Sequence, residues 1–472
     1  MAKVYACFWF DVEDYITPES DEALASLLRI FQERGATGTW KLVGEKYRVL
    51  RERGRSDIIA ALHKQDVGYH TDNHSQHPTV SEYERGLGWE AGIAEFVARE
   101  RRGLEELRQE FGSVSCYGQP GGAWAPQAFA GLGAMGIPMY LDEGRHLGLD
   151  NMPFWFANIL TIFNLQQNCV RADIHAADKK GALADACRLF DAAGARLSTS
   201  GGVISVYYHP CEFATEEFWD GVNFSHGRNT PREQWRPARL CSPAEAGDRL
   251  ATFAGLLEHA LASDQVEVVN AAELLAAYQS GKPAGPVPVS ELAGVASAMG
   301  GWISYASSSQ GRLSPAQLFS GMAEALAYWQ EHGHLPEAVT PASPFGPSER
   351  AGSEEGGQAT TCALGSAARE AVAEMAAAGH MPNSLVLGSA QIGPATAFRA
   401  MAQALVSILA EPGARPCQAV TFDRGRLALE DRVGTDEREM WGWTIFPPGF
   451  SAPDLLELTR LQAWTIKPAD LK

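Results

Sequence analysis

The stretch KVYACFWFDVEDY, residues 3–15, decides how the chain reads. After Lys3 it runs as seven apolar and aromatic residues, the pattern of a strand buried on both faces. Three acids follow within four positions: Asp11, Glu13 and Asp14. An unpaired buried carboxylate is costly, and a cation or proton offsets that cost, so a strand ending this way opens onto a polar site. Side chains alternate along a strand, so Asp11 and Glu13 point the same way, while Asp14 falls where the strand ends. The run alone also describes an exposed acidic turn, with Asp14 accepting hydrogen bonds from the backbone that follows it.

Along the rest of the chain, β-like runs alternate with helical ones. SDEALASLLRIFQERG (20–35) is helical and GTWKLVG (38–44) is a strand; SDIIAALHKQ (56–65) and EAGIAEFVARERRGLEELRQEFG (90–112) are helical. IPMYLDEG (137–144) is strand-like, GALADACRLFDAAGA (181–195) helical, and GVISVYYHP (202–210) a strong strand. AGDRLATFAGLLEHAL (246–261) and VEVVNAAELLAAY (266–278) close the series. Repeated β-then-α units predict an α/β fold in which parallel strands are covered by helices, most simply a barrel, with its chemistry at the C-terminal strand ends. Residues 279–290, QSGKPAGPVPVS, read as a linker between a catalytic domain over 1–278 and a smaller, mainly helical domain over 291–472. Within that second domain Gly333, His334 and Pro336 match Gly379, His380 and Pro382 at an offset of 46, an internal duplication.

Bulk properties narrow the classes. The formal charge of −18 argues against a nucleic-acid partner, since phosphate-backbone binding needs clustered Lys and Arg. The eight cysteines form no CxxC pair, which excludes a zinc ribbon or thioredoxin-like motif and reads as free buried thiols. No apolar run is long enough to span a membrane, and no secretory signal is visible, so a cytoplasmic location is expected.

GYHTDNHSQHP (68–78) is the second motif. His70 and His74 stand four apart, the spacing of one helical turn, so both imidazoles can face one cation. His77 follows, either as an alternative ligand or as the end of the turn before Pro78. Strand-end carboxylates combined with an H-x-x-x-H pair point to a divalent metal site, with Glu13 or Asp14 as the acidic ligand.

FDVED together with HTDNH resembles the polysaccharide deacetylases, also called NodB-homology or carbohydrate esterase family 4 proteins. The resemblance covers about residues 3–278 and implies a distorted (β/α) barrel of the NodB type. It makes Asp11 the general base, His70 and His74 the metal ligands with Thr71 at the hydroxyl position, and Glu13 the acidic ligand, with Asp14 competing. Val12 stands where the family has a second adjacent Asp. YGQPGGAWAP (117–126) resembles the third motif through Pro120 and Gly122, but Gly118 occupies the position of the Arg that orients the base, so Asp11 needs another partner. LDEG (141–144) sits near the fourth, acidic motif. VISVYYHPCEF (203–213) resembles the last, which makes His209 the acid that protonates the leaving nitrogen.

The resemblance implies one divalent ion, zinc, and hydrolysis of an N-acetyl group on an amino-sugar substrate. Pro120 and Gly122, and in the aromatic loop after His209 Trp219, Asp220, Asn223 and Arg228, are candidate substrate contacts. Two other readings are a cyclic amide or ureide hydrolase and a carbohydrate-binding protein whose barrel has lost catalysis. The partner is then an N-acetylated glycan or a small amide. The C-terminal region is similar to pseudomurein-binding-type repeats, and its charge-poor helices suit packing on the barrel or in a homo-oligomer.

Overall fold

The computed structural model describes residues 2–411, 417–436 and 438–472. In the N-terminal part the strands are β1 (Val4–Val12), β2 (Thr39–Leu42), β3 (Asp66–Tyr69), β4 (Met139–Leu141), β5 (Phe154–Phe156), β6 (Ile159–Ile162), β7 (Gly202–Tyr208) and β8 (Val266–Val269). Its helices are α1 (Glu19–Glu33), α2 (Gly44–Glu52), α3 (Ser56–Leu62), α4 (Val80–Glu84), α5 (Trp89–Phe111), α6 (Pro126–Ala134), α7 (Lys179–Leu197), α8 (Trp219–Phe224), α9 (Pro243–Leu261) and α10 (Ala271–Ala277).

β1 is the central strand because all but one of its residues are apolar or aromatic, and all nine, Asp11 included, are buried. It pairs in parallel with β7 through Val4–Phe10, with β8 through Val4–Cys7 and with β2 through Trp9–Val12. β3 continues the sheet beyond β2, and β4, β6 and β5 form a second segment. Single bridges at Tyr117, to Tyr69 and to Tyr140, and at Cys169, to Ser205, link these strands. The result is α/β with mainly parallel strands, but among the described residues the ladder does not close as one continuous barrel.

The two faces of β1 enter two different cores. Phe8, Phe10 and Val12 point to the helices, where Phe10 stacks on Trp40 at 4.1 Å and meets Phe31 and Phe253 edge-on. Burying each such ring contributes about 1.5–3 kcal/mol. Tyr5, Cys7 and Trp9 point the other way, into an inner cluster with Cys116, Met139, Leu141, Leu160 and Ile162. Strand periodicity then carries Asp11 and Glu13 onto that inner row, at the C-terminal end of the sheet.

Beyond residue 288 the chain is mainly helical: α11 (Val289–Ala298), α12 (Pro315–His332), α13 (Thr361–Ala378), α14 (Pro394–Ala410) and α15 (Pro453–Gln462). Two helix–hairpin–helix units are visible. α11 and α12 flank the hairpin 306–313, and α13 and α14 flank the hairpin 385–392. α11 packs on α14 and α12 on α13. In these units Pro315, Phe319, Met322 and Leu326 correspond to Pro394, Phe398, Met401 and Leu405, all buried. The matches at an offset of 46 reflect a shared local device: α12 and α13 both stop at a left-handed glycine, Gly333 and Gly379.

Cys362 and Cys417 are joined in a disulfide, which corrects the reading of all eight cysteines as free thiols. Their separation of 55 residues hid the pair, which the antiparallel pairing of 357–360 with 419–422 brings together. Cys7, Cys116 and Cys211 are buried free thiols. The last residues return to the N-terminal part. Lys467 and Pro468 pair with Trp155 and Phe154, the Trp124 indole donates to Thr459 Oγ1 at 2.9 Å, and α15 packs on α6. No helix of the described residues is long and apolar enough to cross a membrane.

Candidate metal centre

At the C-terminal end of β1, Glu13 Oε2 lies 3.2 Å from His70 Nε2 and 2.8 Å from His74 Nε2. One ligand atom from each of the three fits within a 4.8 Å span, and all three residues are buried. The histidines get there without a helix, which corrects the expectation of a helical turn. His70 directly follows β3, its backbone N–H held by Leu42 O at 2.9 Å, and the chain then turns through Thr71 (φ 64°) and His74 (φ 50°). Thr71 Oγ1 accepts the His74 N–H at 3.1 Å and closes that turn. His77 leaves the group: its Nδ1 meets Glu82 at 2.6 Å and its Nε2 meets Phe224 O at 3.0 Å.

Each imidazole is oriented from behind. His70 Nδ1 is 3.0 Å from Gly118 O, so it carries the proton and leaves Nε2 a lone pair. His74 Nδ1 is 2.5 Å from Ser75 Oγ, whose hydroxyl donates to Asp220 Oδ2 at 3.1 Å. The Trp443 indole donates to the same oxygen at 2.8 Å. His74 Nε2, fully buried, faces the Glu13 carboxylate at 2.8 Å, outside good hydrogen-bond geometry. The Glu13 carboxylate is oriented likewise, its Oε1 accepting from the Trp219 indole at 2.9 Å.

Electrostatics agree with a cation seat. Burial opposes ionisation of Glu13, but His74, His209 and His70 hold it well below the usual carboxylate range. Burial likewise opposes charge on His74, and Glu13 lifts it above the ordinary imidazole value. Without metal, the carboxylate is matched by imidazole protons; a divalent ion at the same place would substitute for them. Two imidazoles and one carboxylate converging on a cavity are a donor set that zinc accepts.

Asp11 and His209 flank this group. Asp11 Oδ1 forms an ion pair with Lys41 Nζ at 2.8 Å, and Oδ2 lies 3.6 Å from His209 Nε2. His209 follows β7 directly, its Nδ1 3.1 Å from Glu212 Oε2, and Arg171 holds that carboxylate through both oxygens at 2.8 and 2.9 Å. Burial works against a charged His209, yet Glu13 and Glu212 raise it to about 9. A cavity of about 160 Å³ opens above, reaching Asp11, Glu13, His70, His74 and His209, with Phe218, Tyr207 and Trp443 among its walls.

No family model matches the sequence, and no curated protein matches it. Solved structures do. A protein described as a probable polysaccharide deacetylase from Pseudomonas aeruginosa is 12% identical over 58% of this chain and 90% of its own, with a TM-score of 0.40. A family 4 carbohydrate esterase from Streptomyces lividans, in complex with acetate, is 13% identical over 57% and 93%, with a TM-score of 0.30. A family 4 pseudoenzyme from Bacillus anthracis is 14% identical over 58% and 66%, with a TM-score of 0.31.

Of the residues singled out from sequence, Asp11, Glu13, His70, His74 and His209 come together. Asp14 stands apart, capping the turn before α1 by accepting from the backbone of Ile16 and Thr17 at 2.9 Å each. Gly122 lines the cavity; Pro120 sits in the adjoining turn, its carbonyl accepting from Ala123 N. Trp219 and Asp220 are buried behind the ligands. Asn223 and Arg228 bond to loop backbone, Asn223 to Arg236 and Arg228 to the carbonyls of Val222 and Asn223. Sequence reasoning did not single out Lys41, Ser75, Tyr207, Glu212 or Trp443, and it reached Asp142 only through the loose match of LDEG. Lysine amid the strand TWKL and Glu212 three residues after His209 were readable signals; the distant Trp443 left none.

Proposed function

We propose that this chain is a metal-dependent hydrolase that removes N-acetyl groups from an amino-sugar-containing substrate. The observation that carries this is the convergence of Glu13, His70 and His74 beside the Asp11–His209 pair in one open cavity. On this reading, residues 1–278 form the catalytic unit, a distorted barrel, 279–290 the linker, and 291–472 an accessory region whose last segment adds Trp443 to the site.

Glu13, His70 and His74 would hold one divalent ion, zinc. When bound, it polarises the amide carbonyl and lowers the water pKa towards ~7. Asp11 takes the proton as water adds to the carbonyl carbon and the C–O bond forms. His209, kept charged by Glu13 and Glu212, gives its proton to the amide nitrogen as the C–N bond breaks, releasing acetate and a free amine. The cavity accepts a small acylamide group, and Phe218 and Trp443 offer aromatic surface to an attached sugar ring.

The test is metal analysis of the purified protein with acetate release measured on acetylated chito-oligosaccharides and on cyclic ureides. One bound ion per chain and acetate release that a chelator abolishes are expected. Ring opening of a ureide without acetate release assigns the other hydrolase class. Full metal occupancy with no turnover on either refutes hydrolysis and favours carbohydrate binding.

A further inference from the structure

Asp11 is held by a cation that comes from the neighbouring strand. The register of β1 and β2 sets Asp11 directly opposite Lys41. Lys41 is fully buried, and its ammonium meets Asp11 Oδ1 at 2.8 Å, Asp142 Oδ2 at 3.1 Å and Leu141 O at 2.8 Å, with the Trp9 ring centroid at 4.0 Å. Four carboxylates line the cavity, from Asp11, Glu13, Asp142 and Glu143, and no Lys or Arg is among the lining residues. Lys41, directly beneath, is thus the fixed positive charge against which Asp11 and Asp142 rest. A buried cation with this many short contacts is over-supplied for stability alone, since a hydrophobic residue of similar shape often replaces a buried ion pair at no cost.

Space for it is made by Gly118. A Cβ there would fall 2.0 Å from Lys41 Nζ and 2.6 Å from Asp142 Oδ2, so any other residue at 118 would push the ammonium off its partners. The Gly118 carbonyl meanwhile fixes His70. One glycine therefore serves both a ligand and the base.

We propose that Lys41 is the positioning residue of this site: by gripping Asp11 through Oδ1 it leaves Oδ2 facing the cavity and His209, and keeps this carboxylate out of the cation's ligand shell. That role rests on the hydrolase reading where turnover is concerned, and on geometry alone where the placement of Asp11 is concerned.

The experiment uses the zinc-loaded full chain with Lys41→Met and with Gly118→Ala, comparing crystal structures and kinetics. Lys41→Met is expected to turn Asp11 towards the metal as an added oxygen ligand. It should lower kcat by about 10²-fold, the effect of a small misplacement of a reacting group, with KM changed less than threefold. Gly118→Ala, which retains every charge, should show the same direction of change and keeps the test open if Lys41→Met does not fold. Asp11 unmoved in both single variants, or turnover equal to that of the unaltered protein, overturns the proposal. Absence of turnover in the unaltered protein overturns the hydrolase reading, and the position of Asp11 then decides the role of Lys41 by itself.

Discussion

Replacing Ser75 with alanine should weaken metal binding without touching a ligand. Ser75 Oγ has one proton, and it sits between His74 Nδ1 at 2.5 Å and Asp220 Oδ2 at 3.1 Å. Asp220 is pushed up to about 6 by burial and by Glu13, opposed by His74 and by the hydrogen bonds from Trp443 and Ser75, so near neutrality it is mainly an acceptor. The hydroxyl proton must therefore go to Asp220, which leaves the oxygen to accept from His74 Nδ1–H. That fixes the neutral tautomer with a lone pair on Nε2, the only form able to bind a cation beside Glu13.

Ser75→Ala removes the acceptor for Nδ1–H and one of the two donors to Asp220. His74 is then free to exchange tautomers or to rotate. Loss of such an outer hydrogen bond costs about 10–100-fold in metal affinity, or about 1.4–2.7 kcal/mol. Competition of the zinc-loaded protein against a chelator of known affinity measures this directly. Acetate release at saturating zinc should fall by less than tenfold, because Asp11 and His209 are untouched. Affinity within threefold of the unaltered protein would show that the relay does not set the tautomer, and the account of His74 given above would fail.

Two further perturbations probe the rim and the core. The Trp443 ring meets Phe218 edge-on at 5.0 Å and also donates to Asp220; Trp443→Ala should raise KM about 2–10-fold from lost aromatic contact, while Trp443→Phe keeps KM and shows only the weakened Asp220 relay. Equal KM values for all three proteins would remove Trp443 from substrate binding. Glu84 is fully buried with neither oxygen hydrogen-bonded, and burial, then Glu95, pushes it up to about 8. Between its ordinary 4.5 and about 8 the folded protein keeps a proton that the unfolded chain releases, so stability falls as pH rises through that window, by up to a few kcal/mol at ~1.4 per unit. Glu84→Gln should raise the melting temperature more at pH 8 than at pH 5, and an equal gain at both would contradict this.

What could be read from sequence was whatever strand periodicity governs. Parity alone put Asp11 and Glu13 on one face; Val12, the last residue of β1, enters the helix-facing core, and Glu13, one residue beyond the strand, joins the histidines. Asp14, two residues past the strand end, no longer follows that alternation; there an Asx-type turn took the side chain. The His70–His74 spacing was legible as a shared cation site, but not its geometry. A helix and a turn with two left-handed residues both bring positions i and i+4 together, and nothing local distinguishes them.

The substrate-loop residues went astray for a different reason. WDGVNF looked like a sugar platform because it is aromatic and polar, but composition does not say which way a loop faces. Trp219 and Asp220 face inward because Glu13 and Ser75 offer buried hydrogen-bonding atoms that must be satisfied, and an indole N–H and a carboxylate satisfy them. The aromatic surface at the rim then falls to Phe218 and to Trp443, which lies 225 residues after it. The same logic explains Gly118. Judged as a lost arginine, it looked like decay; judged by volume, it is the space an ammonium from the next strand requires. A missing cation in a motif is a reason to search the facing strand positions for its replacement, and here Lys41, directly opposite Asp11, is found at once.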